Sequence, residues 1–392
     1  MNPITEINPK NTNPKVPVHL GLVITELEIG GAERCVVELA TRLDSQYYRV
    51  SVVSIASRPQ PGKDSLVQRL EKQGITVSFL NCDSRWQIFK AVSKLRHIWK
   101  LDPPSLVHSF LFHGNIISSW AMKALPGVKL IHGLRVVEQG RIRRWLQSRY
   151  SCKAEKVCCV SEKLAQFASE TLKLASPKIE VIPNGINLDQ FDLAAELNSD
   201  LPDIFIDPMR KVMLCVGRLD IQKGLDWLLK TCPKFMSKLP KWELVFVGEG
   251  SERARLLKLA EESEFANAIH FLGQRSDVPR LMKLADLFLL PSRWEGMPNV
   301  LLEAMAAKLP VVVTDVEGTR ELLGPGSENQ LISFGNDQQL ADQITLLAGD
   351  SELRESLGKS NRARVSDQFS LDQMIYKYDT LYQTCLKSSR QS

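Results

Sequence analysis

Short apolar runs, each closed by a turn and followed by a segment of helical period, recur along this chain in two separate series. The first comprises HLGLVI (19–24), RVSVVSI (49–55), ITVSFL (75–80), SLVHSF (105–110), VKLIHG (128–133), KVCCV (156–160) and IEVIP (179–183). The second comprises VMLCVG (212–217), WELVFVG (242–248), AIHFLG (268–273), LFLLP (287–291), PVVVT (310–314) and QLISF (330–334). Strands that alternate with helices must run parallel, and their near-continuous apolar character is that of strands covered on both faces. The pattern therefore predicts an α/β chain in which one doubly wound parallel-sheet architecture is built twice. A length of 392 residues, too long for one ordinary core, agrees with two domains.

Between the series, PNGINLDQFDLAAELNSDLPDIFIDP (183–208) is rich in Asn, Asp and Pro and weakly periodic, which marks a linker. The expected organisation is a flexible tail over 1–17, a first domain over 18–185, a linker over 186–208, a second domain over 209–370 and a last helix over 371–392. That helix carries Met374, Ile375, Tyr378, Leu381 and Tyr382 on one stripe, which needs a partner surface and is expected to pack back on the first domain. The tail lacks an apolar core like that of a signal peptide, and no segment approaches the ~20 apolar residues that span a bilayer. Cytoplasmic residence is the expectation. Eight scattered cysteines, without a CxxC pair near a histidine cluster, read as buried thiols rather than disulfides or a zinc site. A net charge of +5 favours anionic partners mildly and does not mark nucleic acid binding.

The most informative stretch follows the LFLLP run: Ser292-Arg-Trp-Glu295-Gly296-Met297-Pro298-Asn299-Val-Leu-Leu-Glu303. Pro298 suits the first turn of a helix, so Glu295 and Gly296 fall on the preceding loop and Glu303 more than a turn inside. The free N–H groups of residues near Met297 to Val300 form an anion site at that helix start, with Gly296, Met297, Pro298 and Asn299 as the donor-binding candidates. Carboxylates beside bound phosphate are tolerable only if they face hydroxyl groups. A sugar nucleotide meets that condition, with Glu295 toward the sugar and Glu303 toward the ribose. The alternative is that both are ordinary helix-terminal or solvated charges.

A second element, Val216-Gly-Arg218-Leu-Asp-Ile-Gln-Lys223-Gly224, also leaves a strand for a helix. Arg218 supplies a planar fork and Lys223 a point charge, and together they could neutralise a diphosphate and stabilise it as it leaves. Taken alone, both cations are as well explained as surface charges. Weaker signals are Gly248, where a strand end could pass close to a ligand, and Gln274 with Arg275, whose backbone could read a base edge. In the first series, Gly30 and Gly31 make a tight strand-to-helix turn that allows close backbone approach. His113, Arg135 and His132 lie near strand ends and are acceptor or donor-sugar candidates, with His113 and Arg135 ahead of His132 and His108, which sit within or beside the apolar runs, although a lone histidine there is more often structural. Finally, 141–150 (RIRRWLQSRY) places Ile142, Trp145, Leu146 and Arg149 on one helical face that could touch an anionic membrane or a lipid-diphosphate acceptor. An ordinary amphipathic helix with solvated arginines fits the same residues.

With these residues assembled, the chain resembles the retaining glycosyltransferase family 4, through GGAER (30–34), VIPNGIN (181–187), VGRLDIQKG (216–224), FVGEG (246–250), FLGQRSDV (271–278) and PSRWEGMPNVLLEAMA (291–306). Glu295 and Glu303 reproduce the family's E-x7-E spacing. The resemblance covers nearly the whole chain and implies a GT-B fold, two Rossmann-like domains facing across a cleft, with the acceptor side in the first and the nucleotide sugar held by the second. It further implies retention of anomeric configuration, no metal or other cofactor, and a nucleotide-activated hexose such as a UDP-sugar as donor. Arg218 and Lys223 would grip the diphosphate, Glu303 the ribose and Glu295 the sugar, with Gly31 approaching the diphosphate. Many relatives place a histidine after the strand represented here by KLIHG. This chain has Arg135, so Arg135 takes the role, His132 or His113 substitutes, or donor preference differs.

The implied role is in cell-surface polysaccharide, lipopolysaccharide or glycolipid synthesis, with a glycan or lipid-linked acceptor and peripheral contact with the inner face of a membrane. The competing readings are a UDP-sugar epimerase, opposed by the E-x7-E stretch, and a non-catalytic nucleotide-sugar-binding partner of a glycan assembly complex, opposed by the joint presence of Arg218, Lys223, Glu295 and Glu303.

Overall fold

A computed structural model describes residues 16–138, 140–196 and 200–387 of the chain. Most of the expected tail, the last five residues and three linker positions lie outside these.

Every apolar run of the first series is a strand: β1 (Val18–Ile24), β2 (Tyr48–Ser54), β3 (Thr76–Phe79), β4 (Leu106–Phe110), β5 (Lys129–Leu134), β6 (Lys156–Cys159) and β7 (Ile179–Val181). They form one sheet in the order β3-β2-β1-β4-β5-β6-β7. The second series gives β8 (Lys211–Val216), β9 (Trp242–Val247), β10 (Ile269–Phe271), β11 (Leu287–Leu290), β12 (Val311–Thr314) and β13 (Leu331–Ile332), in the order β10-β9-β8-β11-β12-β13. β1 pairs in parallel with both β2 and β4, and β8 with both β9 and β11. In each sheet the winding therefore reverses between two neighbours, β1 and β4 in one and β8 and β11 in the other. The crevice beyond the carboxyl ends of such a pair is where open α/β sheets bind ligands.

The helices that cover the first sheet include α1 (Gly31–Arg42), α2 (Ser65–Lys72), α3 (Ile88–Leu101), α4 (Leu111–Met122) and α5 (Arg141–Ser151). Val23, Val53, Leu95, Trp99, Val107 and Ile117 are among the side chains of one core cluster under this sheet. Met213, Leu228, Phe235, Phe246, Leu289 and Ile344 belong to another under the second sheet. Cys158 and Cys159 are adjacent on β6 and both buried, as a strand covered on both faces requires. Burial first, and the nearby Glu162 carboxylate second, push the Cys159 thiol up to about 12.

The chain forms two compact units. One holds the described residues up to Gly133, Gly140–Val157 and those from Asp379 onward; the other holds the segment from Leu134 and Cys158–Tyr378. The range 18–185 is thus shared between units. The linker region contains a helix, Leu188–Glu196, that buries Phe191 and Ala195. VIPNGIN has a backbone role: Ile186 bridges to Ser370, and a side chain on Gly185 would meet the backbone of Ser370 and Leu371.

The last helix, Leu371–Lys387, buries Met374, Tyr378, Leu381 and Tyr382, and Ile375 is half-buried. From Asp379 on, this helix belongs to the first unit. The Tyr48 hydroxyl donates to Asp379 at 2.6 Å, Tyr382 Oη lies 2.7 Å from His108 Nδ1, and Lys129 Nζ donates to the Cys385 carbonyl at 2.5 Å. His108 is thereby a core histidine on β4. One sequence expectation is corrected: seven of the eight cysteines are buried, but Cys152 is exposed. It sits just past the end of α5, whose buried positions are Gln147 and Ser151, and so projects away from the core.

Candidate active site

The second unit gathers the strongest candidates at its winding reversal. Lys223 follows β8 and Glu295 follows β11, the two strands that flank the reversal. Lys223 Nζ lies 2.6 Å from Glu295 Oε1, with side chains 13% and 7% exposed. Ser292 Oγ donates to the same Oε1 at 2.7 Å, and Gln222 Nε2 donates to Oε2 at 3.3 Å and to the Trp294 carbonyl at 2.9 Å. The Arg293 N–H returns a bond to the Gln222 carbonyl at 2.7 Å. Every oxygen of the buried carboxylate is therefore engaged, which is what keeps an ion pair tolerable away from water.

Backbone conformation makes this convergence possible. Gly224 has φ of 63°, and a side chain on it would strike the Pro291 carbonyl, so Gly lets the β8 loop close on the β11 loop. Gly217 has φ of 154°, and its missing side chain leaves room for the Lys223 stem. A pocket is lined there by Gly217, Arg218, Lys223, Leu289, Leu290 and Pro291. Arg218, 70% exposed, with Asp220 Oδ2 and Gln222 Oε1 each 3.5 Å away, puts an exposed cation at the same pocket. A rigid buried cation and an extended one at one opening suit a polyanion that enters from solvent.

The next helix is Asn299–Ala306, with Pro298 as its N-cap in extended conformation, one position before the first turn that the sequence suggested. Glu303 is the fifth helical residue and half-buried. The loop that leads in is braced: a side chain on Gly296 would overlap the Arg135 carbonyl, and Gly318, at φ of 74°, leaves space for the Gly296 carbonyl. Asn184 donates from Nδ2 to the Met297 carbonyl at 3.0 Å and accepts from Arg135 Nη2 at 2.5 Å. Gly248 passes over Gly217, whose carbonyl a side chain would strike. Gln274 is exposed, while Arg275 is held by Asp277 at 2.7 and 2.9 Å and by the Asp200 carbonyl.

Of the three sugar-site candidates, Arg135 alone shares a compact unit with Glu295, buried and hydrogen-bonded to Asn184. His132 is fully buried on β5 between Ser119 Oγ and Ser151 Oγ, each 2.9 Å away, and burial pushes it down to about 3. It is a neutral core group. His113 is half-buried on α4, lowered by burial and then by the Arg143 guanidinium. In the first unit Gly30 is extended, φ −154°, and the Glu33 carboxyl lies over it, while Gly31 opens α1 exposed. Ser292, Gln222 and Asn184 are the site residues that sequence reasoning did not single out. All three lie within the quoted motifs, but nothing in their spacing shows that they hold the Glu295 loop.

Two family models match: Glycosyltransferase Family 4 over residues 29–190 and Glycosyl transferases group 1 over 199–364. N,N'-diacetylbacillosaminyl-diphospho-undecaprenol alpha-1,3-N-acetylgalactosaminyltransferase of Campylobacter jejuni is 30% identical over 301 residues, 72% of this chain and 77% of that protein. The chain belongs to glycosyltransferase family 4. A more partial match, 27% identical, is N-acetyl-alpha-D-glucosaminyl L-malate synthase of Bacillus anthracis, covering 57% of this chain and 58% of that one. Among solved structures, Anabaena Alr3699/HepE in complex with UDP and glucose superposes with a TM-score of 0.78 at 19% identity, over 94% of this chain and 100% of that one. That likeness shows the fold, GT-B with two parallel-sheet α/β domains.

Proposed function

We propose that this family 4 glycosyltransferase moves a hexose-type sugar, with retention of configuration and without a metal, from a UDP-sugar to a glycan or lipid-linked acceptor in cell-surface polysaccharide or glycolipid synthesis. The observation that carries the reading is the buried Lys223–Glu295 pair beside the exposed Arg218 at the winding reversal. Glu295 offsets the Lys223 charge in the absence of ligand, so Arg218 and the amides at the start of Asn299–Ala306 add the positive charge that a bound diphosphate needs beside Lys223. Glu295 repels phosphate and must therefore face sugar hydroxyls, and Glu303, a turn further on, takes the ribose. Gly248 lets the donor pass close to the backbone, and Gln274 and Arg275 flank the base. Arg135 stands on the sugar side, where its carbonyl abuts the Glu295 loop.

In this mechanism Arg218 and Lys223 stabilise the charge that grows on the departing diphosphate, and the leaving phosphate oxygen receives the acceptor's proton on the same face. The sugar's old bond to phosphate breaks as the bond to the acceptor oxygen forms, so no separate base is needed. UDP and glucose bound in the Anabaena structure and a diphospho-undecaprenol acceptor in the name of the Campylobacter relative support donor and acceptor class. Residence on the cytoplasmic side of a membrane, in peripheral contact with it, belongs to the same proposal.

Calorimetry against a panel of nucleotide sugars tests it, with wild type compared with Arg218→Ala and Glu295→Ala. Binding of one UDP-sugar, weakened about tenfold or more by Arg218→Ala, is expected, since a hydrogen bond to a charged group is worth about 1.5–3 kcal/mol. A folded wild type that binds no nucleotide sugar would sink the reading.

A further inference from the structure

Asn184 occupies a place that suits a carboxamide and no other short side chain. It is 4% exposed, and its side chain meets two groups of opposite character. Arg135 Nη2 donates to its Oδ1 at 2.5 Å, and its Nδ2 donates to the Met297 carbonyl at 3.0 Å. A guanidinium can only donate and a carbonyl can only accept, so the residue between them must accept on one side and donate on the other. An ionised Asp would set a second oxygen against the Met297 carbonyl, and Ala would reach neither group. The Asn184 N–H adds a bond to Met297 Sδ at 3.2 Å. Arg135, Asn184 and Met297 all lie in the second compact unit.

The segment that carries Asn184 is itself fixed on both sides. Ile182 donates its N–H to the Cys159 carbonyl at 2.9 Å. Ile186 donates to the Phe369 carbonyl at 2.9 Å and accepts from the Leu371 N–H at 3.0 Å, while Gly185 lies against Ser370 and Leu371 with no room for a side chain. A carboxamide mounted on such a base holds its partners in one geometry, which is what the support of a binding loop requires. What it supports is the stretch that leads into the helix Asn299–Ala306. The Gly296 carbonyl packs over Gly318, so across a trans peptide the Met297 N–H faces the other way. The next peptide joins Met297 to Pro298, which has no N–H. That peptide can offer an anion only its carbonyl, and a carbonyl repels phosphate.

We propose that Asn184 is a positioning residue of the donor site: it turns the Met297 carbonyl away from the donor's diphosphate, so that the loop presents amides there, and through the same carboxamide it sets the Arg135 guanidinium relative to that loop. The inference rests on the proposed function only for what the loop binds. Buried as it is, Asn184 acts through Met297 and Arg135 and not on the donor itself. One side chain ties a sugar-side cation to the phosphate-side backbone.

The test is calorimetry of the full chain with UDP and with GDP, neither of which carries a sugar, on wild type, Asn184→Ala and Asn184→Asp. Asn184→Ala should weaken binding of the nucleotide that wild type takes up by about tenfold, the upper range for one hydrogen bond. Asn184→Asp fits the same space and keeps the acceptor for Arg135, so it serves even where Asn184→Ala does not fold. It should weaken binding at least as much, because a carboxylate oxygen then faces the Met297 carbonyl. Circular dichroism melting on the same samples separates this from a role in stability alone, which would lower the melting temperature and leave the affinity of the folded chain unchanged. Wild-type affinity in either folded variant would overturn the positioning role and leave the donor site standing, whereas a folded wild type that binds neither nucleotide would overturn both.

Discussion

Lys223→Met should destabilise the second unit by about 3 kcal/mol. The Glu295 carboxylate, 7% exposed, would lose its only ion-pair partner among the described contacts and keep donors from Ser292 and Gln222. Breaking a buried pair costs about 3–5 kcal/mol, and the two surviving hydrogen bonds put this case at the low end. Glu295→Gln should cost about 2 kcal/mol, because Lys223 is 13% exposed and can still reach water. The double variant removes both charges together and leaves mainly a packing loss of about 2 kcal/mol. The cycle therefore predicts a coupling energy of about 3 kcal/mol between the two side chains. Urea-dependent amide hydrogen exchange, read by mass spectrometry on peptides from β8 and β11, assigns the stability to the right unit. Additivity of the single costs to within about 0.5 kcal/mol would refute the pair, and with it the argument that Lys223 is neutralised before a ligand arrives.

Three further outcomes follow from particular contacts. His132 titrates near 3 in the fold and near 6.5 when unfolded, so below pH 6.5 the unfolded chain binds more protons and stability falls as pH drops. Between pH 7 and pH 5 this amounts to roughly 2 kcal/mol, and His132→Gln should flatten that acid limb in urea titrations; an unchanged limb would refute the assignment. Gly296→Ala would drive a methyl into the Arg135 carbonyl, costing roughly 1–3 kcal/mol, and should speed exchange of the amides from Leu134 to Glu138. Unchanged exchange there would show that the two loops are not in contact. An aromatic disulfide reagent should titrate one thiol quickly, Cys152, with the other seven modified only on unfolding; Cys152→Ser should abolish the fast phase, and a fast phase that persists would refute it.

Much of the fold was legible because strands buried on both faces leave unbroken apolar runs, and all thirteen runs are strands. Domain limits were less so. The chain from Leu134 at the end of β5 and from Cys158 within β6 packs with the second unit although its sequence neighbours belong to the first, and an apparently aperiodic linker holds a helix whose buried residues are Phe191 and Ala195. Among site residues, Lys223 and Glu295 are separable in sequence only as charges near two strand ends. Ser292 and Gln222, which hold the carboxylate, carry no signal of their own.

The sequence by itself determined the two parallel sheets, the E-x7-E spacing and the glycines that let loops approach, since periodicity and backbone freedom are local properties. Only the tertiary structure decided which charges meet. Lys223 and Glu295 are 72 positions apart, and the β8–β11 adjacency that joins them is a property of strand order, to which no local pattern refers. The same holds for His132, whose burial between two serines turns a candidate ligand into a core group, and for α5, whose buried positions are the polar Gln147 and Ser151 rather than its apolar residues.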